Sequence, residues 1–593
     1  MRKTLASVWL VLRMSAKVSP RETVIACVEV LGTAIQVLQP LFLALFVGGI
    51  IERDLTRVVG AVLAFGATFG LGLTLQLWGN TARINQRERV GFAFDSEIAR
   101  MTAGIPTLDH LESATYLDEL QALRDQQGAL GDALNMVLNV GRMLVMAGGT
   151  ILLAATADWQ LLFLAAAGVV NLLTTRWRIR WQTAAEKEST EPGRLSTHLV
   201  EVTTTSAGAA ELRVFGIAQV LRDRLSASVR AWRAPDVRVG IRNGWLDVAT
   251  TVVFYAVVIA VLVSMVRGVI GGTIGIPAVV LALVLVTQLQ TVGEMVHWAM
   301  LNLTRTARTA DRFRWLRDYE AQVREVHCGR AEPPPQLRHG IRTVNLTYAY
   351  PGAESPTLDG VTLDLPAGAV VALVGENGAG KSTLVNLLAG MYRPTDGRVL
   401  VDGTDLASID LTAWRARMTG AFQDYAKFEF TAQKAVGVGQ LEHLDDSAHV
   451  HRALRAGAGE DVLTALPDGL GTRLGTAWPD GVELSGGQWQ RLGIARGMMR
   501  EDPLLLVLDE PTAALDAATE HALFERYAAA AREAGGRGAV TLLVTHRFST
   551  VAAADLVVVL DRGKVVEVGT HAELVERDGH YAELYELQAR GYR

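Results

Sequence analysis

Eight residues, Gly375-Glu376-Asn377-Gly378-Ala379-Gly380-Lys381-Ser382, sit between a short apolar run at 370–374 and a helix-forming stretch that starts at Thr383. Their spacing is G-x-x-x-x-G-K-[ST] in a strand–loop–helix setting, the pattern of a phosphate-binding loop. The glycines let successive backbone N–H groups converge on phosphate oxygens, and the helix N-terminus adds its positive end. Lys381 is suited to the β- and γ-phosphates of ATP and the Ser382 hydroxyl to Mg²⁺. A chance Gly-rich turn rarely matches every position in that setting. A second apolar run, 504–508, ends in Asp509 and Glu510. Such a run predicts a central parallel strand. Asp509 is then expected to hold Mg²⁺, directly or through water, and Glu510 to polarise the attacking water as a general base. His546 closes a further strand-like run, 540–545. It is expected at the same sheet edge, where ligands bind in such folds, against the γ-phosphate.

Together with Leu484-Ser485-Gly486-Gly487-Gln488, these residues resemble the ATP-binding cassette (ABC) transporter family, in its exporter branch of type IV fold. The resemblance covers essentially the whole chain. It implies that Tyr350 stacks on adenine, that Gln423 is the Q-loop residue sensing Mg²⁺ and the membrane domain, and that Ala514-Leu515-Asp516 is the D-loop. His546 then becomes the switch histidine. The nucleotide set implied is Tyr350, Gly375, Glu376, Asn377, Gly378, Ala379, Gly380, Lys381, Ser382, Thr383, Gln423, Ser485, Gly486, Gly487 and Gln488. The metal set is Ser382, Gln423 and Asp509, and the catalytic pair is Glu510 and His546. In that family two cassettes meet head to tail, so each ATP lies between one chain's phosphate loop and the other's signature. A second half-transporter is therefore an expected partner. No motif residue is degenerate, which favours a homodimer, with a heterodimer also open. The stretch 475–483 departs from the family's short Gly-Glu-x-Gly run, being longer and lacking its usual Glu. With Trp489-Gln490-Arg491 after the signature, it resembles a bacterial subgroup that includes lantibiotic exporters.

These groups need a scaffold, and the two halves of the 593 residues differ in kind. Six segments approach the ~20 mostly apolar residues that a spanning helix needs: 24–51, 58–79, 135–157, 161–177, 248–266 and 274–289. Lys and Arg concentrate in the N-terminal segment and after the second and fourth spans, which places the N-terminus and both long connections in the cytoplasm. Those connections continue the spans. A helix from 58 to about 103 runs roughly 70 Å, far beyond the bilayer, so each hairpin projects below it. At their turns, 110–117 and 211–216 are short segments able to dock on another domain. Glu29, Gln36, Gln39, Gln76, Asn139, Arg142, Asp247, Gln288 and Glu294 lie in or beside the spans; each is read as an interhelical partner ahead of a substrate contact. Pro40 and Pro277 kink a span or start one.

The domains expected are an interfacial cytoplasmic helix at 1–23, a six-helix membrane domain at 24–326, a Pro-rich linker at 327–339 and an α/β phosphate-loop domain at 340–593. A net charge of −5 without a dense basic stripe excludes a nucleic-acid partner. Cys27 and Cys328, the two cysteines, suit neither a disulfide nor a cysteine zinc site. The function implied is ATP-driven export of a hydrophobic or amphipathic peptide, natural product, drug or lipid across a bacterial plasma membrane. An importer built on the exporter fold, for instance for a siderophore, and a ligand sensor working with a signalling partner are the alternatives.

Overall fold

The computed structural model describes residues 2–327, 329–509, 536, 538–545 and 551–591, with some side chains, those of 164–173 among them, left outside the description. The chain divides into two compact units. One comprises Met1–Arg100 and Leu120–Leu316, the other Met101–Glu119 and Arg317–Arg593.

The first unit is helical. Among the described residues, five stretches are long and apolar enough to cross a membrane: Pro20–Glu52, Leu55–Gly104, Ala133–Thr156, Ala218–Ile270 and Ile276–Gly293. The sixth expected span, 161–177, falls within the helix Leu162–Thr204, where the side chains of 164–173 lie outside the described residues. The helix Leu55–Gly104 has 50 residues, about 75 Å at 1.5 Å per residue, so it outreaches the hydrocarbon layer as its uninterrupted pattern suggested. Pro40 and Pro277 each occupy the first turn of a helix, Gln39–Glu52 and Ile276–His327. There the missing N–H is one that a helix start leaves unpaired anyway.

Polar residues of the spans pair mostly with neighbouring helices. Glu29, 3% exposed, lies 3.0 Å from Arg83 Nε and 3.1 Å from an Arg142 Nη, and Arg83 also donates to Asn139 Oδ1 at 3.1 Å. Gly79 makes the room, since a Cβ there would strike the Glu29 carboxylate. Thr150 donates to Gln288 at 3.2 Å, Gln76 accepts from Gln36 at 3.5 Å, and Asp247 accepts from the buried Arg178 at 2.6 Å. The Glu294 side chain lies outside the described residues.

The second unit holds ten strands among the described residues: β1 (Gly340–Tyr348), β2 (Leu358–Pro366), β3 (Val370–Val374), β4 (Asp396–Val401), β5 (Thr404–Asp405), β6 (Met418–Ala421), β7 (Leu505–Asp509), β8 (Val540–Val544), β9 (Leu556–Asp561) and β10 (Lys564–Gly569). One sheet has the order β2-β1-β4-β5 and is antiparallel; the other has the order β10-β9-β3-β8-β7-β6. In the larger sheet β9, β3, β8, β7 and β6 run parallel. Every residue of β7 and β8 is buried, as apolar runs covered on both faces must be.

Glu29→Ala should leave two partly buried guanidinium groups facing each other without their anion. The expected loss is about 3–5 kcal/mol, read as a lower melting temperature of the purified chain. Adding Arg142→Met should restore part of it.

Candidate active site

Strand register brings the chemistry to one edge. Leu373 of β3 pairs with Val544 of β8, and Val544 pairs with Asp509 of β7, so these three residues lie on one line across the sheet. Two residues past that line, β3 turns into the phosphate loop. The turn needs glycine: Gly380 has φ +100°, and a Cβ there would come within 2.6 Å of Leu358 Cδ2, while one on Gly375 would collide with the Leu560 carbonyl. The helix Lys381–Leu388 follows, its first N–H groups open to the loop.

Lys381 is 7% exposed, and its ammonium donates to the carbonyls of Gly375 at 2.8 Å and Glu376 at 2.9 Å. The side chain thus folds back along its own loop, with its charge at the loop's centre. A cavity of about 820 Å³ opens here, lined by Gly375, Glu376, Asn377, Gly378, Gly380, Lys381, Ser382, Thr383 and Gln423. The sequence had already singled these residues out. Thr357, Leu584 and Leu587 complete the wall and were missed. Leu584 and Leu587 belong to the C-terminal helix His580–Gly591, whose apolar face gives no hint of a nucleotide role. Ala379 is buried at 4% exposure, and Tyr350 stands outside the lining but bonds to it, its hydroxyl 3.1 Å from Thr383 Oγ1. Asp509, 6% exposed, ends β7 on the same edge. Glu510, Ala514-Leu515-Asp516 and His546 lie outside the described residues.

The signature stands apart from this cavity, for none of residues 485–488 lines it. Ser485 caps the helix Gly486–Gly497 through a reciprocal box: its hydroxyl accepts from Gln488 N at 3.3 Å, and Gln488 Oε1 accepts from Ser485 N at 2.9 Å. Ser485 and Gly486 are exposed, and a Cβ on Gly486 would meet nothing within 4 Å. Such a helix start can receive an anion from outside. The longer stretch at 475–483 folds onto Glu429, whose carbonyl accepts from Trp478 Nε1 at 3.0 Å.

Residues 358–513 match the ABC transporter family. The fold superposes on a bacterial Atm1-family ABC exporter solved with ATP bound, with TM-score 0.75 and 25% identity over 97% of this chain and 99% of that one. Residues 358–513 are thus similar to an ABC transporter cassette, and the chain has the fold of an ABC exporter. The ATP-dependent lipid A-core flippase of Burkholderia orbicola (strain AU 1054) is 42% identical over 260 residues, 44% of this chain and 42% of that protein. That of Ralstonia nicotianae (strain ATCC BAA-1114 / GMI1000) is 42% identical over 254 residues, 43% and 41% of the two chains. The chain therefore spans under half the length of the curated relatives it matches.

The first hairpin turn, Met101–Glu119, is part of the cassette's compact unit. Leu108 N donates to Met391 O at 2.8 Å, and an Arg415 Nη holds the Pro106 carbonyl at 2.5 Å. Tyr348 donates to Asp109 and Tyr392 to Glu112, each at 3.1 Å. Burial and the adjacent carboxylates push both phenols well above their ordinary range, so they stay protonated donors. Tyr350 packs edge-on against both, with ring centroids 5.1 and 5.6 Å apart. Through these rings Tyr350 touches the side chains that hold the turn. The second turn carries the helix Ser206–Val214 and exposes Val214 and Phe215.

His110, 3% exposed, packs edge-on against Tyr116, and burial lowers its pKa. A histidine whose folded pKa is depressed favours the docked turn fully above its unfolded value of about 6.5, and loses that contribution as pH falls below it. Protection factors across 101–119, with the intrinsic pH dependence of amide exchange divided out, should therefore fall between about pH 7 and 5.5. His110→Phe should flatten the change.

Proposed function

We propose that this chain is one half of an ATP-driven exporter of a lipid-like, amphipathic substrate, working as a pair of identical chains in a bacterial plasma membrane. The observation that carries it is the separation, within one cassette, of the phosphate-loop cavity from the exposed signature. Each has half of what a triphosphate needs. A second copy, turned head to tail, supplies Ser485 and the N–H groups of Gly486 and Gly487 to the γ-phosphate, together with Gln488.

The cavity volume lies in the range of small-molecule sites, about 300–1,000 Å³. The Gly375–Thr383 loop cradles the phosphates, Lys381 trades its two carbonyl partners for phosphate oxygens, and Tyr350 packs the base. Ser382 and Asp509, with Gln423 near them, offer the oxygen donors that Mg²⁺ prefers. When bound, the ion neutralises charge on the β- and γ-oxygens. Glu510, one residue beyond β7, takes a proton from the attacking water, and His546, two residues beyond β8, donates to the γ-phosphate.

The flippase names of the cassette relatives support a lipid-like cargo, and the spans' exposed apolar faces suit a bilayer setting. The N-terminus and the cassette face the cytoplasm on this proposal. The exposed Val214–Phe215 tip docks on the other copy's cassette, so that ATP-driven closure of two cassettes moves both membrane regions.

Glu510→Gln should keep ATP binding while lowering the hydrolysis rate at least about 10²-fold, and should stop lipid movement in reconstituted vesicles. Lys381→Ala should lose ATP binding itself. Hydrolysis at the wild-type rate in Glu510→Gln contradicts the assignment of the base.

A further inference from the structure

Three residues outside the nucleotide site bring donor atoms together. His443, Asp446 and His449 each offer one ligand atom, all within 4.8 Å of one another. They are spaced i, i+3, i+6 across the start of the helix Ser447–Ala456. Asp446 caps that helix with Oδ1, which accepts from Ala448 N at 3.0 Å and His449 N at 3.1 Å. Its other oxygen, Oδ2, is turned to His443 Nδ1 at 3.7 Å. The two imidazoles stack nearly parallel, with centroids 4.2 Å apart.

The hydrogen bonds of His449 fix its proton. Nε2 lies 2.7 Å from the Met499 carbonyl, which can only accept, so Nε2 carries the hydrogen. Nδ1 lies 2.7 Å from an Arg452 Nη, which can only donate, so Nδ1 holds a bare lone pair. A ring nitrogen presented in this way, with its opposite N–H bonded to a backbone carbonyl, is the arrangement of a metal-ligating histidine. The ring is 95% buried and cannot turn its lone pair to water.

A cation already occupies the mouth of the cluster. The same Arg452 Nη that caps His449 also donates to Glu501 Oε1 at 2.8 Å. That carboxylate oxygen is 4.0 Å from His449 Nδ1. Arg452 can therefore give up the imidazole while keeping its carboxylate, or release both and leave Glu501 as a fourth donor. Two imidazoles and one or two carboxylates are a zinc-type ligand set.

We propose that His443, Asp446 and His449, with Glu501 in reach, bind a divalent transition metal ion of the zinc class and so clamp the helical part of the cassette. The helix 447–456 packs Val450, Ala453 and Leu454 into one core with Trp489 and Leu492 of the signature helix. Met499 and Glu501 lie just past that helix's end. An ion here ties the two helices at a second point and stiffens the element that presents Ser485.

The test is a Zn²⁺ titration of the untagged full-length chain in lipid nanodiscs, after chelator stripping and without nucleotide, against a chromophoric competitor. Co²⁺ serves as a spectroscopic probe. His443 and Asp446 are accessible, so His443→Ala and Asp446→Asn leave the fold intact, the asparagine still capping the helix. The expected result is one Zn²⁺ per chain and a visible Co²⁺ band of tetrahedral type. Each variant should weaken binding at least about tenfold with ATPase activity unchanged. Absence of saturable binding, or equal binding by wild type and both variants, overturns the proposal.

Discussion

A buried ammonium is the constraint around which the cassette is organised. Lys381 lies buried in its own loop, its ammonium donating to the carbonyls of Gly375 and Glu376. A buried ammonium needs polar partners and is stabilised further by the negative charge of a phosphate. Everything that places Lys381 follows from this need. The glycines let the loop fold back on itself, β3 delivers the loop at the sheet edge, and β8 and β7 carry Asp509 to the same line.

The second consequence is incompleteness. Ser485 and its glycines form a well-capped helix start that faces outward, away from the cavity of their own chain. The proposed pairing of two chains rests on this separation of two anion-binding helix starts within one cassette. The turn at Met101–Glu119 is tied to the same part of the cassette, since Tyr350 touches Tyr348 and Tyr392, which hold Asp109 and Glu112.

The sequence made the phosphate loop legible because its chemistry is local: eight consecutive residues must meet one ligand, and their backbone needs appear as glycines. The buried strands were equally plain, since full burial on both faces leaves uninterrupted apolar runs at 370–374 and 504–508. Leu584 and Leu587 were not, because they reach the cavity through a long-range fold and carry no polar mark. The interhelical roles of Glu29 and Arg142 were readable only as a class, and that of Arg83 was missed. Charge in a span announces a partner without naming it, and a 113-residue separation between Glu29 and Arg142 cannot be read from either end. His443 and His449 passed unnoticed for a similar reason, since an i, i+6 spacing matches one helix face only after the turn at Leu441–His443 reorients the first ring.

The central claim is that each nucleotide site joins the phosphate loop of one chain to the signature of another, and a mixing experiment tests it most directly. One copy would carry Lys381→Ala and the other Ser485→Arg, each inactive alone as an ATPase in lipid. Co-assembled, a head-to-tail pair contains one site that bears both defects and one that bears neither. The account predicts that ATPase activity returns on mixing. A mixture as inactive as its two components would contradict it.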